Sequence, residues 1–228
     1  MRREALKAEI LALELGRSER RMLPLGLPEV DAALQGGLDL GVLHEVAGPA
    51  AVAFAELLAR RQGGPVFWLA PEGAEAVCYP PGLLQYGTNP SDLTFLRLPT
   101  TADLLRAAYE VLASSAVGTA LLELPAGLSL TAMRRLQIAA QKGGGLGLFL
   151  NSQYLEKGGQ AGGLFGSAMT RWHVRARNPQ PDHLRLELHL TKNRRGRPCC
   201  WTVETHHATH HLHLVALSGE RAADPPRA

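Results

Sequence analysis

Residues 42–49 read VLHEVAGP, and residues 50–62 continue AAVAFAELLARRQ. The short apolar run that stops at Gly48–Pro49 has the length and branching of a buried strand. The Ala- and Leu-rich run from Ala50 to Leu58, closing in Arg60–Arg61–Gln62–Gly63–Gly64, favours helix. Strand, glycine turn and helix form the opening unit of a βαβ fold, and this turn is where a phosphate-binding loop would sit. Such a loop needs G-x-x-x-x-G-K-[ST]: glycines bring backbone N–H groups onto phosphate, Lys balances charge, and Ser or Thr binds Mg²⁺. Counting from Gly48, the second glycine position is Ala53, the lysine position Phe54 and the hydroxyl position Ala55. Hydrogen bonds to charged groups contribute roughly 1.5–3 kcal/mol each, so their joint loss removes most triphosphate affinity. Burying the Phe54 ring instead would stabilise the fold by about 1.5–3 kcal/mol. Two readings stay open on this pattern, a relic phosphate loop or an ordinary strand–helix turn.

The segments after this unit repeat its rhythm. Pro65–Ala70 (PVFWLA), Gly118–Leu124 (GTALLEL) and Leu146–Leu150 (LGLFL) read as buried strands. Asp103–Ser114 and Leu130–Gln141 read as helices, the second started by Ser129 or Thr131. Strands alternating with helices of this length imply right-handed crossovers, hence an α/β fold whose mostly parallel central sheet is flanked by helices. Upstream, Pro28 suits the first turn of a helix that stops at Gly36–Gly37. Residues 1–22 form an N-terminal helix candidate, with Leu6, Ile10 and Leu13 as a narrow apolar stripe that could dock on its own core or on a neighbouring chain. The core then spans residues 23–215, and residues 216–228 read as a disordered tail.

The pattern changes past residue 155. Lys157–Gly166 (KGGQAGGLFG) has too many glycines for regular structure. Leu184, Leu186, Leu188 and Leu190 alternate with polar residues, and Cys199, Trp201 and Val203 do so again. Lys192–Asn193–Arg194–Arg195–Gly196–Arg197–Pro198 lies between them, so the expectation is an antiparallel hairpin with one buried face and a basic tip. Between Arg171 and Cys200 eight Lys or Arg face two acids, on a chain whose formal net charge is only +3. Lys192, Arg194, Arg195 and Arg197, extended by Arg171, Arg175 and Arg177, are candidates for contact with a polyanion or an acidic protein surface; a solvated Arg-rich hairpin is the plain alternative. If the tip projects freely, neutralising Arg194, Arg195 and Arg197 together leaves the melting temperature nearly unchanged.

Composition excludes several classes. With 46% hydrophobic residues among 228, the bulk is not disordered, and no run approaches the roughly 18 uncharged apolar residues of a membrane span. The mixed charges of the first residues do not read as a secretory signal. Cys78, Cys199 and Cys200 cannot form a disulfide framework, which points to a reduced, cytoplasmic protein.

Several stretches carry a family resemblance. GGLDLGVLHEVAGPAAVAFAE resembles the segment that leads through the Walker A loop of the bacterial recombinase RecA. YPPGLLQYGTNPSDLTFLRLPTTADLLRAAYEVLASSAVGTALLEL resembles the run to its Walker B strand, which puts Glu123 at or beside the Walker B acid. LGLFLNSQ, with Asn151 and Gln153, is similar to the strand opening the second DNA-binding loop, and residues 157–166 to that loop, shortened. Over roughly residues 23–205 the order and spacing match. LPLGLPEVDAALQGGL, GVLHEVAGP, AMRRLQIAA, SAMTRW and LTKNRRGRP further resemble the ImuA family of RecA-like accessory proteins in bacterial mutagenesis cassettes. The resemblance implies a RecA-like core and a role in SOS-induced, error-prone translesion synthesis. The partners it implies are ImuB (a Y-family polymerase homologue), an error-prone C-family polymerase and RecA itself. Because Phe54 stands where true RecA has lysine, the expectation is an adaptor without catalysis or cofactor, its loop Gly48, Ala53, Phe54 and Ala55 degenerate. The alternatives are a weak nucleotide-dependent paralogue that recruits Lys142 or Lys157, a DNA-binding module with weak contacts through the hairpin, or a SulA-type cell-division inhibitor.

Other chemistry is less marked. His206, His207, His210, His211 and His213 crowd into HHATHHLHL and could bind Zn²⁺ or Ni²⁺, but no carboxylate cluster accompanies them in sequence. The expectation is an exposed His-rich strand and no metal. Cys199 and Cys200 alternate faces, so one is expected in the core; their spacing is not a redox C-x-x-C. Glu72 and Glu75, near where RecA places its water-activating glutamate, are expected to be solvated acids. Asp31 reads as solvent-facing or as a local hydrogen-bond partner.

Overall fold

The computed structural model describes residues 20–73, 89–125, 127–151, 168–180, 183–206 and 212–217. The docking stripe Leu6–Ile10–Leu13, the glycine-rich 157–166 segment, Gln153, Cys78, Glu75, Lys157 and His207, His210 and His211 lie outside these residues, as does the tail from residue 218.

A nine-stranded sheet organises the chain. In chain order its strands are β3 (Leu43–Ala47), β4 (Val66–Pro71), β5 (Leu93–Leu98), β6 (Thr119–Leu122), β7 (Leu146–Asn151), β8 (Thr170–Gln180), β9 (His183–Asn193), β10 (Cys199–His206) and β11 (Leu212–Leu217). Their spatial order is β11-β10-β9-β8-β3-β7-β6-β4-β5. From β5 across to β8 every pairing is parallel, and from β8 to β11 every pairing is antiparallel. The fold class is therefore as expected, an α/β sheet of mostly parallel strands with helices. A separate two-stranded ladder, β1 (Met22–Leu23) with β2 (Leu38–Asp39), brackets the short helix α1 (Pro28–Ala33). Arg20 and Arg21 lie outside any helix and Met22 begins this ladder, so the expected helix over residues 1–22 does not extend through them.

Helix α2 (Ala51–Gln62) covers one face of the sheet, where Phe54, Ala55, Leu57 and Leu58 join Val46, Trp68, Leu148, Trp172 and Val203 in one apolar cluster. Helices α3 (Thr101–Ala113) and α4 (Leu130–Gly143) cover the other, packing Leu104, Ala108, Met133 and Leu136 on Leu43, Leu122 and Phe149. Double coverage explains why β6 and β7 read as nearly continuous apolar runs, and why even His44 and Glu45 of β3 are buried. Thr100 caps α3 through the Asp103 N–H at 3.1 Å, and Ser129 caps α4 through the Ala132 N–H at 3.2 Å, which selects Ser129 over Thr131. Asp31 is a local hydrogen-bond partner: its carboxylate accepts from the Leu25 and Gly26 N–H groups at 2.6 and 2.9 Å. Among the described residues no helix is long and apolar enough to cross a membrane.

Two expectations need correction. The basic hairpin, β9 with β10, is no projecting arm; it is the middle of a four-stranded antiparallel half-sheet continuous with the parallel core. Cys199 does not share the buried face of Trp201 and Val203. It is exposed, at the first residue of the strand, and Cys200 is half-buried.

Candidate functional site

The turn after β3 occupies the place of a phosphate-binding loop. Gly48 adopts φ 101°, a left-handed conformation that glycine reaches without strain, and a Cβ there would collide with the Val174 carbonyl of β8. The Ala50 N–H donates to that carbonyl at 3.2 Å, and α2 starts one residue later. Strand β8 thus closes over the turn from the side. Phe54 is fully buried, its ring 5.4 Å from that of Trp172, and Trp172 in turn lies 6.0 Å from Trp201. Ala53 and Ala55 are buried with it. Position 54 therefore faces an aromatic cluster shared by β8 and β10. Two concavities, of about 280 and 480 Å³, lie elsewhere: one at the far end of α2 beside Gln62–Pro65 and Gly143–Gly145, the other between α3 and α4.

Glu123 follows β6 at the carboxyl ends of the parallel strands. Its N–H donates to the Leu69 carbonyl at 2.9 Å, and its carboxylate accepts from Trp68 Nε1 at 2.7 Å. Burial pushes its carboxyl above the ordinary value, against the Trp68 hydrogen bond and the charge of Arg97. Glu72 is exposed, as expected. Lys142, the candidate stand-in for the missing lysine, is exposed in the last turn of α4, at the opposite end of the sheet from Gly48.

The basic candidates divide sharply. Arg195 Nε bonds Asp39 at 2.7 Å, and Arg20 Nε bonds the other oxygen of the same carboxylate at 2.6 Å. Asn193 donates to the Ala33 carbonyl at 3.0 Å, and Gln35 to the Arg195 carbonyl at 2.8 Å, so the hairpin tip is seated on α1 and β2. Arg171 pairs with the buried Glu45 at 2.7 Å. Arg195 and Arg171 are therefore structural cations, and the expectation that all three tip arginines can be neutralised without cost is corrected. Lys192 is held below its ordinary value by burial and then by the Arg194 and Arg171 charges. Arg175 and Arg197 are exposed, and Arg177 pairs with Glu187 at 2.8 Å.

A buried polar chain was missed in the sequence. His44 is fully buried, with Nε2 2.8 Å from the Asp39 carbonyl and Nδ1 2.7 Å from Thr170 Oγ1; Trp172 Nε1 donates to that same hydroxyl at 2.8 Å. A carbonyl can only accept, so Nε2 carries the proton and Thr170 donates to Nδ1: every polar atom is used with a neutral imidazole. Burial holds the His44 pKa below the ordinary 6.5, outweighing the Asp39 bond and charge. The unfolded chain then binds the proton more readily, so stability is lost as pH falls below about 6.5. We expect urea midpoints to drop between pH 7 and pH 5.5, and to drop less in His44→Gln. The signal available in sequence was a lone His inside an apolar strand.

No family model matches the chain. Over 90% of its length it is 34% identical to Protein ImuA of Caulobacter vibrioides strain NA1000 / CB15N, covering 92% of that protein. The same figures hold for Protein ImuA of C. vibrioides strain ATCC 19089. Among solved structures it is similar to the RadB recombinase, with a TM-score of 0.60 at 18% identity over 84% of this chain and 98% of that one. That likeness establishes a RecA-like fold.

Proposed function

The chain belongs to the ImuA family, and from that premise we propose that it is a cytoplasmic, non-catalytic RecA-like adaptor in SOS-induced, error-prone translesion synthesis. It acts through protein contacts, with ImuB, an error-prone C-family polymerase and RecA as the partners to test. The observation that carries the reading is Phe54: a fully buried aromatic ring stands at the position of the phosphate-binding lysine, packed on Trp172. A cation needed at that point would have to displace the ring, and Lys142 lies too far along the fold to substitute. Supporting it, the turn at Gly48 is already bonded to β8 and has no slack to wrap a phosphate.

The first test is nucleotide itself. Purified protein with Mg²⁺ and ATP should show no hydrolysis above a buffer control, and equilibrium dialysis should show no saturable ATP binding up to millimolar concentration. Turnover that disappears in Glu72→Gln would instead favour the nucleotide-dependent paralogue. Pull-down against ImuB, the C-family polymerase and RecA then separates the adaptor from a SulA-type division inhibitor, which would need none of them.

Contact with nucleic acid or an acidic partner falls to the cations outside the Asp39 and Glu45 pairs. Replacing Arg175 and Arg197 together by glutamine should leave the melting temperature within about 1 °C, since exposed cations contribute little to stability. For single-stranded DNA, the slope of log affinity against log salt should shrink by roughly 0.7 for each phosphate that the variant no longer neutralises. Unchanged binding to DNA and to the polymerases would leave these arginines as a solvated surface.

A further inference from the structure

We propose that His183 and His206 form a two-imidazole clamp for a divalent transition-metal ion of the Zn²⁺, Ni²⁺ and Cu²⁺ class, independent of the adaptor role. The β9–β10 register sets these residues directly opposite each other at one end of the ladder. Their Nε2 atoms are 2.5 Å apart, with ring centroids at 3.6 Å and the planes inclined at 60°. In the metal-free protein one N–H···N hydrogen bond joins them, so both ring nitrogens already sit at one place on the ladder. Around a tetrahedral ion with bonds of roughly 2.0–2.1 Å they would stand about 3.3 Å apart, so the rings need open by less than ~1 Å.

A carboxylate completes the donor chemistry. Glu204 Oε1 is 3.9 Å from His183 Nε2, while its other oxygen is anchored by Arg185 at 2.8 and 3.1 Å. The expectation of no metal rested on the lack of a Cys or carboxylate cluster beside the histidine run; Glu204, two residues before His206, is a single carboxylate, and the strand register adds His183. Among the described residues no three such side chains already form a full cage. The clamp therefore offers two nitrogens, with Glu204 Oε1 3.9 Å from His183 Nε2 and the remaining positions left to water. Proximity alone does not produce this arrangement in the sheet. His173 and His189 also sit opposite each other, beside Cys200, yet their rings are 6.3 Å apart and nearly perpendicular. His206 is exposed and His183 partly so, which leaves a path for the ion. Imidazole donors favour Cu²⁺ over Ni²⁺ and Zn²⁺.

The test titrates untagged full-length protein with ZnCl₂ and with CuCl₂ by calorimetry. One ion per chain is expected, and a hundredfold excess over Kd should raise the melting temperature by about 5 °C or more, because an ion held by two strands binds only the folded sheet. His183→Ala and His206→Ala should each weaken binding at least tenfold while leaving the metal-free melting curve unchanged. Full affinity in His183→Ala overturns the proposal. So does loss of binding only when His207, His210 and His211 are replaced together by alanine. Electron paramagnetic resonance of the wild-type Cu²⁺ complex gives a readout that needs no variant: hyperfine coupling to two imidazole nitrogens supports the clamp, and one nitrogen or none overturns it.

Discussion

Phe54→Ala lowers the unfolding free energy by about 3–5 kcal/mol, measured by urea denaturation. The ring has no exposed surface, and its removal leaves a void walled by Trp172, Val46 and α2 that the two-sided packing of the sheet cannot close. Phe54→Leu keeps most of the volume and should cost less than half as much. Phe54→Lys is the informative case. Placing the phosphate-loop lysine there should destabilise the protein at least as much as alanine, because an ammonium enters an apolar site without a counter-ion. It should also fail to create ATPase activity, since Ala55 still offers no Mg²⁺ ligand. Wild-type stability in Phe54→Lys, or hydrolysis in that variant, would mean that the pocket is intact under the ring.

Asp39→Ala is expected to cost about 2–4 kcal/mol, between the values for a surface pair and for a buried one. Asp39 is 5% exposed and is the shared anion of Arg20 and Arg195, whose own side chains keep partial access to water. Its loss strands two cations at once. A double-mutant cycle makes the test specific: Arg195→Ala should be clearly destabilising in the wild type and nearly silent once Asp39 is gone. Equal cost in both backgrounds would show that Arg195 stabilises by packing alone. Arg197→Ala, two residues away and exposed, serves as the control with little effect.

The contrast between Arg195 and Arg197 shows where sequence reading stops. Local chemistry was legible: VLHEVAGP and the Ala-rich run after it yielded β3, the turn and α2, and the absence of glycine, lysine and hydroxyl at residues 53–55 foretold the buried ring. The alternation of Leu184 to Leu190 foretold β9. Residues 192–198, by contrast, look like any solvated basic turn. What makes Arg195 structural is a carboxylate 156 residues away, brought there by the β1–β2 ladder, and nothing in the local pattern records it. In strand β8 the charges of Arg171, Arg175 and Arg177 mask the alternation of Trp172, Val174 and Ala176 in the sequence. The His183–His206 meeting was hidden for the same reason as the Asp39 pairs, since register is a property of two strands.

The closed turn at Gly48 also bears on how such a protein can change. Position 54 answers to the shape left by Trp172 and Trp201. Each step toward a working phosphate loop would be penalised by itself: a glycine at 53 loosens the helix, a lysine at 54 opens the aromatic cluster, and freeing the turn from Val174 breaks the Ala50 N–H bond to β8. Building such a loop would need several substitutions on three elements at once, while drift within the packed form needs only one compensated change at a time. Descendants of this chain are thus steered toward exchanging residues 54, 172 and 201 in concert, as a ratchet turns one way.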